Sequence, residues 1–419
     1  VSDRPEKEVV DEFRDRLEEA VRIRLVADVP VGALLSGGID SGTITHFMSQ
    51  SSKEHLRTYT ACFGATMVDE SENARQMALH LGSVHRSIMI NPRSGRLLPF
   101  IASHMDEPIA DPSAIATYLI CRRARREVTV LLTGDGSDDL LLGYPRYQLH
   151  ALAQMIAGRP RILRETIGRL FPLWSIPEKA LSAPGDPLTR DRYWLDHEKN
   201  RTNAFRKASR SYSAAEAIRT VLNDDIASWL PEEVLTKLDK MAMATSVETR
   251  SPFLDGELAD WVIGLPVWRR MSFTQGKTIL RKAMKGVLPL NVSRRPKQAF
   301  LLPIDEWLRS EWRTLLEDVL YDERTRQRGW FDPQATDLLV REHLAGQASH
   351  GRRLYQLLVL ELWARSILDR GEAESIPSEI EDCSREIPSD KPIRKIAVIA
   401  PAGIGDTMRL TPALRRLKE

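Results

Sequence analysis

Apolar residues Val10, Phe13, Leu17, Ala20 and Val21 recur every three or four positions near the start of the chain. That spacing puts them on one stripe of an amphipathic helix leading toward Asp28-Val29-Pro30. The pattern then changes to short, unbroken apolar runs: Val31 to Leu35, Thr58 to Phe63, Val84 to Ile90 and Val128 to Leu132. Runs of this length suit strands buried on both faces. Helical patterns lie between them, around Thr43 to Met48, Glu72 to Leu81 and Ser113 to Arg126. Strand and helix alternate, which predicts an α/β fold with a parallel, doubly wound sheet covered on both sides.

Periodicity weakens from about Ala151 to Pro231 and returns as helical additions from Val234 to near Arg370. Residues 371–392 are rich in Glu, Ser and Pro, the composition of a flexible linker. Beyond them, Ile396 to Ala400 reads as a strand, Gly403 to Asp406 as a turn and Thr411 onward as a helix. One strand and one helix cannot bury their own faces, so residues 393–419 are expected to open a second, truncated α/β domain, and residues 1–370 to form the first.

Composition narrows the function classes. The 419 residues exceed one average domain, and 60 Lys plus Arg against 58 Asp plus Glu leave a net charge of +2. That balance gives no reason to expect a nucleic acid or a membrane as partner. No apolar stretch reaches the roughly 18 residues that span a bilayer, and the expected location is cytoplasmic. Cys62, Cys121 and Cys383 are widely spaced with no CxxC pair, which argues against a disulfide framework; the first two read as small buried apolar residues.

Two turns carry the candidate chemistry. Ser36-Gly37-Gly38-Ile39-Asp40-Ser41-Gly42 falls between an apolar strand and a helix. Glycines there let backbone N–H groups approach an anion, the hydroxyls of Ser36 and Ser41 can donate, and a helix N-terminus adds a favourable dipole. By itself the run reads equally as an ordinary glycine turn with Asp40 or Ser41 capping a helix. The second turn, Thr133-Gly134-Asp135-Gly136-Ser137-Asp138-Asp139, also follows a buried strand. Carboxyl ends of parallel strands share one edge, so both turns can face a single crevice, with Asp40 and Asp138 as hard oxygen ligands for Mg²⁺. Acidic glycine turns are also common at solvated surfaces.

The first loop resembles the pyrophosphate-binding loop, Ser-Gly-Gly-x-Asp-Ser, of the ATP pyrophosphatase superfamily. The longer run from Asp28 to Ser41 is similar to the start of the synthetase domain of glutamine-dependent asparagine synthetases. So, in the same order, are Asp69 to Ser71, Asp106 to Pro108 with Asp111 to Ser113, and Gly134 to Asp139 with Gly143 to Tyr147. Leu238 to Met241, Glu248 to Asp255, Gly276 to Arg281 and Arg294 to Phe300 complete the likeness. It implies an adenine nucleotide alpha hydrolase-like sheet, ATP and Mg²⁺ as cofactors, and amide formation through an acyl-adenylate with release of pyrophosphate.

The resemblance further implies that the phosphates lie on Ser36, Gly37, Gly38, Asp40 and Ser41, with Thr133 and Gly134 also at the nucleotide and the adenine near Leu35, Ala61 and Phe63. Lys297 would stabilise the transferring phosphoryl group, and Asp135 would lie near the step in which ammonia attacks an aspartate-like substrate. Lys277 and Arg281 could hold phosphate or substrate carboxylate, or be solvated charges on a helix. Gly42, Asp139, Leu142, Ala242 and Ala299 depart from the family pattern and leave the amide acceptor open. A lactam-forming relative, a related amidotransferase of polysaccharide or secondary metabolism and a non-catalytic module of the same fold are the alternatives. The family's glutaminase domain, with its N-terminal cysteine nucleophile, is expected to be missing from this chain, which is therefore a fragment or a user of free ammonia. Finally, Lys395 to Ile399, Gly403 to Asp406 and Thr411 to Leu414 resemble the opening of heptosyltransferase-type glycosyltransferases.

Overall fold

A computed structural model describes residues 4–51, 55–63, 70–156, 213–293, 295, 302–369 and 384–387. Helix α1 (Glu6–Arg24) begins with Glu6 and Glu8 and ends with Arg22 and Arg24, an arrangement that complements the helix dipole. Its predicted stripe is real: Phe13, Leu17 and Val21 are fully buried. Four parallel strands follow, β1 (Val31–Leu34), β2 (Arg57–Cys62), β3 (Val84–Ile90) and β4 (Val130–Leu132), joined by α2 (Ile39–Ser51), α3 (Ser71–Leu81) and α4 (Ser113–Ala124). Further helices include α5 (Pro145–Ile156), α6 (Ala214–Asp224) and α7 (Thr236–Met243). Strand β5 (Glu248–Arg250) precedes α8 (Thr278–Ala283) and α9 (Gly351–Trp363).

The sheet order is β5-β4-β1-β2-β3-β6, where β6 is Ser384–Ile387. From β1 the chain steps outward through β2 to β3, then returns to place β4 on the other side of β1. The direction of winding therefore reverses between β1 and β4, and the crevice outside their carboxyl ends is the natural ligand site of such a sheet. Each face has its own core. Ala33, Leu35, Val130 and Leu132 pack with Phe13 and Leu17 of α1 and with Ile44 and Phe47 of α2. On the other face Tyr59, Ala61, Ile88 and Leu131 pack with Ile115 and Leu119 of α4 and with Leu354 and Leu358 of α9. Each fully buried Val, Leu, Ile or Phe among them contributes about 1.5–3 kcal/mol of transfer free energy.

Two strands depart from the expectation. β5 lies where only helix was expected, and pairs parallel with β4. The residues read as a linker, 371–392, include β6, which pairs antiparallel with β3, so the sheet is not wholly parallel. Both are short edge strands held by backbone pairing, and Glu-Thr-Arg and Ser-Arg-Glu-Ile have no apolar alternation to announce them. Segments 157–212 and 393–419, including the glycosyltransferase-like stretch, lie outside the described residues. Cys62 and Cys121 are buried, as expected. Among the described residues no helix is long and apolar enough to cross a membrane.

A second departure concerns residues 225–235, which wind as a π-helix with Pro231 inside. Proline has no N–H to give the ladder, so the wider turn relieves an α-helical clash there. This stretch buries Asp225, Trp229, Leu230 and Glu233, and the charge of Asp225 is felt at Asp139 of the second candidate turn.

Candidate active site

Helix α2 starts at Ile39, earlier than its apolar pattern suggests, so Asp40 and Ser41 occupy its first turn. The loop before it is tied by side chains: Ser41 Oγ accepts from the Ser36 N–H at 3.1 Å and lies 3.0 Å from Ser36 Oγ. Gly37 turns with φ 75°, and a Cβ there would sit 2.5 Å from the backbone nitrogen of Ala74 on α3. Only glycine fits both demands.

The turn after β4 packs directly onto this loop. A Cβ on Gly134 would approach Asp40 Cβ and the Ser41 nitrogen to 3.0 Å. Ser137 Oγ donates to Asp40 Oδ1 at 2.7 Å, and the Thr133 and Ser251 hydroxyls lie 3.0 Å apart. Lys277 closes the cluster. Its ammonium donates to Asp40 Oδ2 at 2.6 Å and is ion-paired with Asp138 Oδ1, also at 2.6 Å but outside hydrogen-bond angles. The two expected metal ligands thus share one cation.

Lys277 is only 3% exposed, so the solvated-helix reading of this residue is overturned. Its backbone is left-handed, with φ 57°, and its N–H donates to Leu141 O. Two glycines make room for it: a Cβ on Gly143 would lie 2.1 Å from Lys277 Cε, and one on Gly276 would lie 2.4 Å from Leu142 O. Arg281, one turn along α8, is half-buried and tied to the backbone. Its guanidinium donates to the carbonyls of Gly276, Ser293 and Arg295. Burial lowers its pKa, opposed by Asp40 and Asp138.

Beside this cluster Asp139 is buried, and among the described residues neither of its carboxylate oxygens has a hydrogen-bond partner. Burial, together with the charges of Asp138 and Asp225, pushes it up to about 7 against the pull of Arg146. Arg146 itself pairs with Asp225 at 2.7 Å and faces the rings of Tyr144, Tyr147 and Trp229. On the other side, Lys237 of α7 bonds Asp111 at 2.9 Å and Ser113 Oγ at 2.8 Å. Burial alone would lower Lys237, but Asp111 and Asp135 hold it above the usual lysine value.

The structure therefore gathers Ser36, Asp40, Ser41, Gly134, Asp138 and Lys277 at the switch point between β1 and β4. Leu35 packs in one core and Ala61 and Phe63 in the other, although all three sit at the carboxyl edge of adjacent strands. Lys297 lies outside the described residues. Ser137 and Gly143 escaped the sequence reading as individual site residues; their presence inside the two matched motifs was the available signal.

A model of the asparagine synthase family matches residues 12–365. The chain belongs to the asparagine synthase family. It is 29% identical over 405 residues to the glutamine-hydrolysing asparagine synthetase 1 of Bacillus subtilis, covering 91% of this chain and 63% of that protein. A Mycobacterium bovis protein with a provisional glutamine-hydrolysing asparagine synthetase name is 30% identical over 376 residues, covering 84% of this chain and 57% of its own length. A Gibberella zeae amidase, chry2, is 24% identical over 389 residues, covering 80% and 58%. The chain thus spans about three fifths of the length of these relatives.

Proposed function

We propose that this chain carries out ATP-dependent amide formation, in which an aspartate-like carboxylate attacks the α-phosphorus of ATP. Pyrophosphate leaves, an acyl-adenylate remains, and ammonia displaces AMP from the acyl carbon. The observation that carries the reading is the convergence of Asp40, Asp138 and Lys277 on one point at the switch of the sheet. Membership of the asparagine synthase family supports it, as do relatives named for glutamine-dependent asparagine synthesis.

The residues divide the work by their chemistry. Backbone N–H groups of the Ser36 to Ser41 loop and the start of α2 would receive the β- and γ-phosphates. Asp40 and Asp138 fit Mg²⁺, being hard oxygen donors brought within reach of one cation. Among the described residues no group of three or more His, Cys, Asp or Glu gathers to hold a metal, so phosphate oxygens would supply further ligands. Magnesium bound there would offset the charge of the leaving pyrophosphate. Lys297 would neutralise charge on the transferring phosphoryl oxygens, and Asp135 would orient the incoming ammonia. Ammonia from a glutaminase partner or free in solution serves the same step.

Aspartate-dependent release of pyrophosphate from ATP, with AMP as the second product, tests the reading. Release of ADP would remove it. A second reading keeps the adenylation and changes the acceptor; the likeness to a fungal amidase and the departures at Asp139 and Leu142 favour it. Mass analysis of products from a panel of carboxylic acids separates the two.

A further inference from the structure

The contact of Lys277 with both Asp40 and Asp138 gives this lysine a role of its own, one that rests on the metal reading above. We infer that Lys277 is an internal counter-cation which occupies the metal position until nucleotide arrives, so that the ion enters only together with the triphosphate.

Three observations carry this. The ammonium nitrogen is 2.6 Å from Asp40 Oδ2 and 2.6 Å from Asp138 Oδ1, the place that a cation shared by both carboxylates must occupy. Mg²⁺ binds carboxylate oxygen at about 2.0–2.1 Å, so ion and ammonium exclude one another by contact as well as by charge. Next, the lysine is aimed by its backbone. A left-handed φ of 57° is unusual for a side-chain-bearing residue, and it is fixed by the Lys277 N–H to Leu141 O bond of 3.1 Å. Finally, the space for the lysine stem exists only because position 143 has no side chain. A Cβ there would fall 2.1 Å from Lys277 Cε and 2.2 Å from Asp138 Oδ1.

The thermodynamic consequence is coupling. Two carboxylates that already share one buried ammonium bind a metal more weakly than they would alone, because half of their charge is offset and the metal must first displace that cation. Phosphate oxygens on the neighbouring loop give that ammonium a new anion. Nucleotide and metal then raise each other's affinity by the same factor, as linkage requires. The nearby Arg281 cannot substitute as the guard, since its guanidinium is committed to three backbone carbonyls.

The test is Mn²⁺ binding to the whole chain, followed by electron paramagnetic resonance of the free ion. Without nucleotide the unmodified protein should bind Mn²⁺ weakly, with no further loss in Asp40→Asn. With a non-hydrolysable ATP analogue, binding should tighten and become sensitive to that substitution. Lys277→Met should bind Mn²⁺ alone roughly tenfold more tightly, a gain equivalent to one well-placed charge. Tight nucleotide-free binding by the unmodified chain that is abolished by Asp40→Asn would overturn the inference. So would unchanged Mn²⁺ affinity in a folded Lys277→Met protein. Lys277→Gln, which keeps a donor for the carboxylates, is the companion variant if near-ultraviolet circular dichroism shows that the methionine variant has lost its packing. The measurement without nucleotide needs no variant of Lys277. Absence of aspartate-dependent pyrophosphate release would remove the amide-forming reading while leaving these ion titrations interpretable.

Discussion

Ser137 Oγ donates a 2.7 Å hydrogen bond to Asp40 Oδ1, and through it the turn after β4 holds the carboxylate of the loop after β1. Bonds to charged acceptors contribute about 1.5–3 kcal/mol. Ser137→Ala should therefore raise the KM for Mg-ATP by roughly tenfold or more, with a smaller effect on the aspartate KM. Steady-state pyrophosphate assays varying each substrate in turn check this. Equal effects on both substrates would count against the assignment.

Gly143→Ala tests the packing around Lys277. The new methyl would overlap both Lys277 Cε and Asp138 Oδ1. Displacement by about 1 Å near reacting groups commonly costs on the order of 100-fold. A fall of that size in kcat/KM, with a circular dichroism spectrum like that of the parent, is the expected result.

Asp139 gives the fold a pH dependence with a definite sign. Its carboxyl stands near 7 in the folded chain against 3.8 as the ordinary value. The folded state therefore holds a proton that the unfolded chain releases, and stability falls as pH rises from about 4 to about 7, then levels off. At 1.36 kcal/mol per unit the whole effect is at most about 4 kcal/mol. Asp139→Asn should flatten this decline, so its advantage over the parent grows through that window. Urea unfolding at a series of pH values, without metal, measures it. Parallel curves for the two proteins would refute the assignment.

Tyr147 is buried and its hydroxyl donates to Asp225 Oδ2 at 2.6 Å. Tyr147→Phe should destabilise the protein by about 1–3 kcal/mol, read as a lower midpoint in urea with an unchanged slope. The loss arises because a buried carboxylate oxygen gives up its neutral donor while keeping Arg146 on the other side.

The central strands were legible because Val31 to Leu34 and Val130 to Leu132 are buried from both sides, which forces nearly continuous apolar runs. Edge strands answer to no such demand, and Glu248 to Arg250 shows none of the pattern. The two site loops were legible for a different reason: glycine and acidic residues cluster where backbones approach each other and an anion. Distance between elements was not legible. Lys277 and Asp40 are 237 positions apart, and nothing in the local sequence of Lys277 distinguishes a solvated cation from one enclosed by two carboxylates. The adjoining Gly276 was the one local sign that the chain is crowded there.

The antiparallel pairing of residues 384–387 with β3 bears on where the chain can be cut. A boundary drawn at residue 370, where the helical pattern ends, would amputate this ribbon from the sheet. Ser87 to Ile90 would then present bare amide and carbonyl groups along a rim that also bears Ile88 and Ile90. Exposed rims of that kind recruit other chains. A recombinant synthetase module trimmed there should precipitate more readily than one that retains the chain through Ile387.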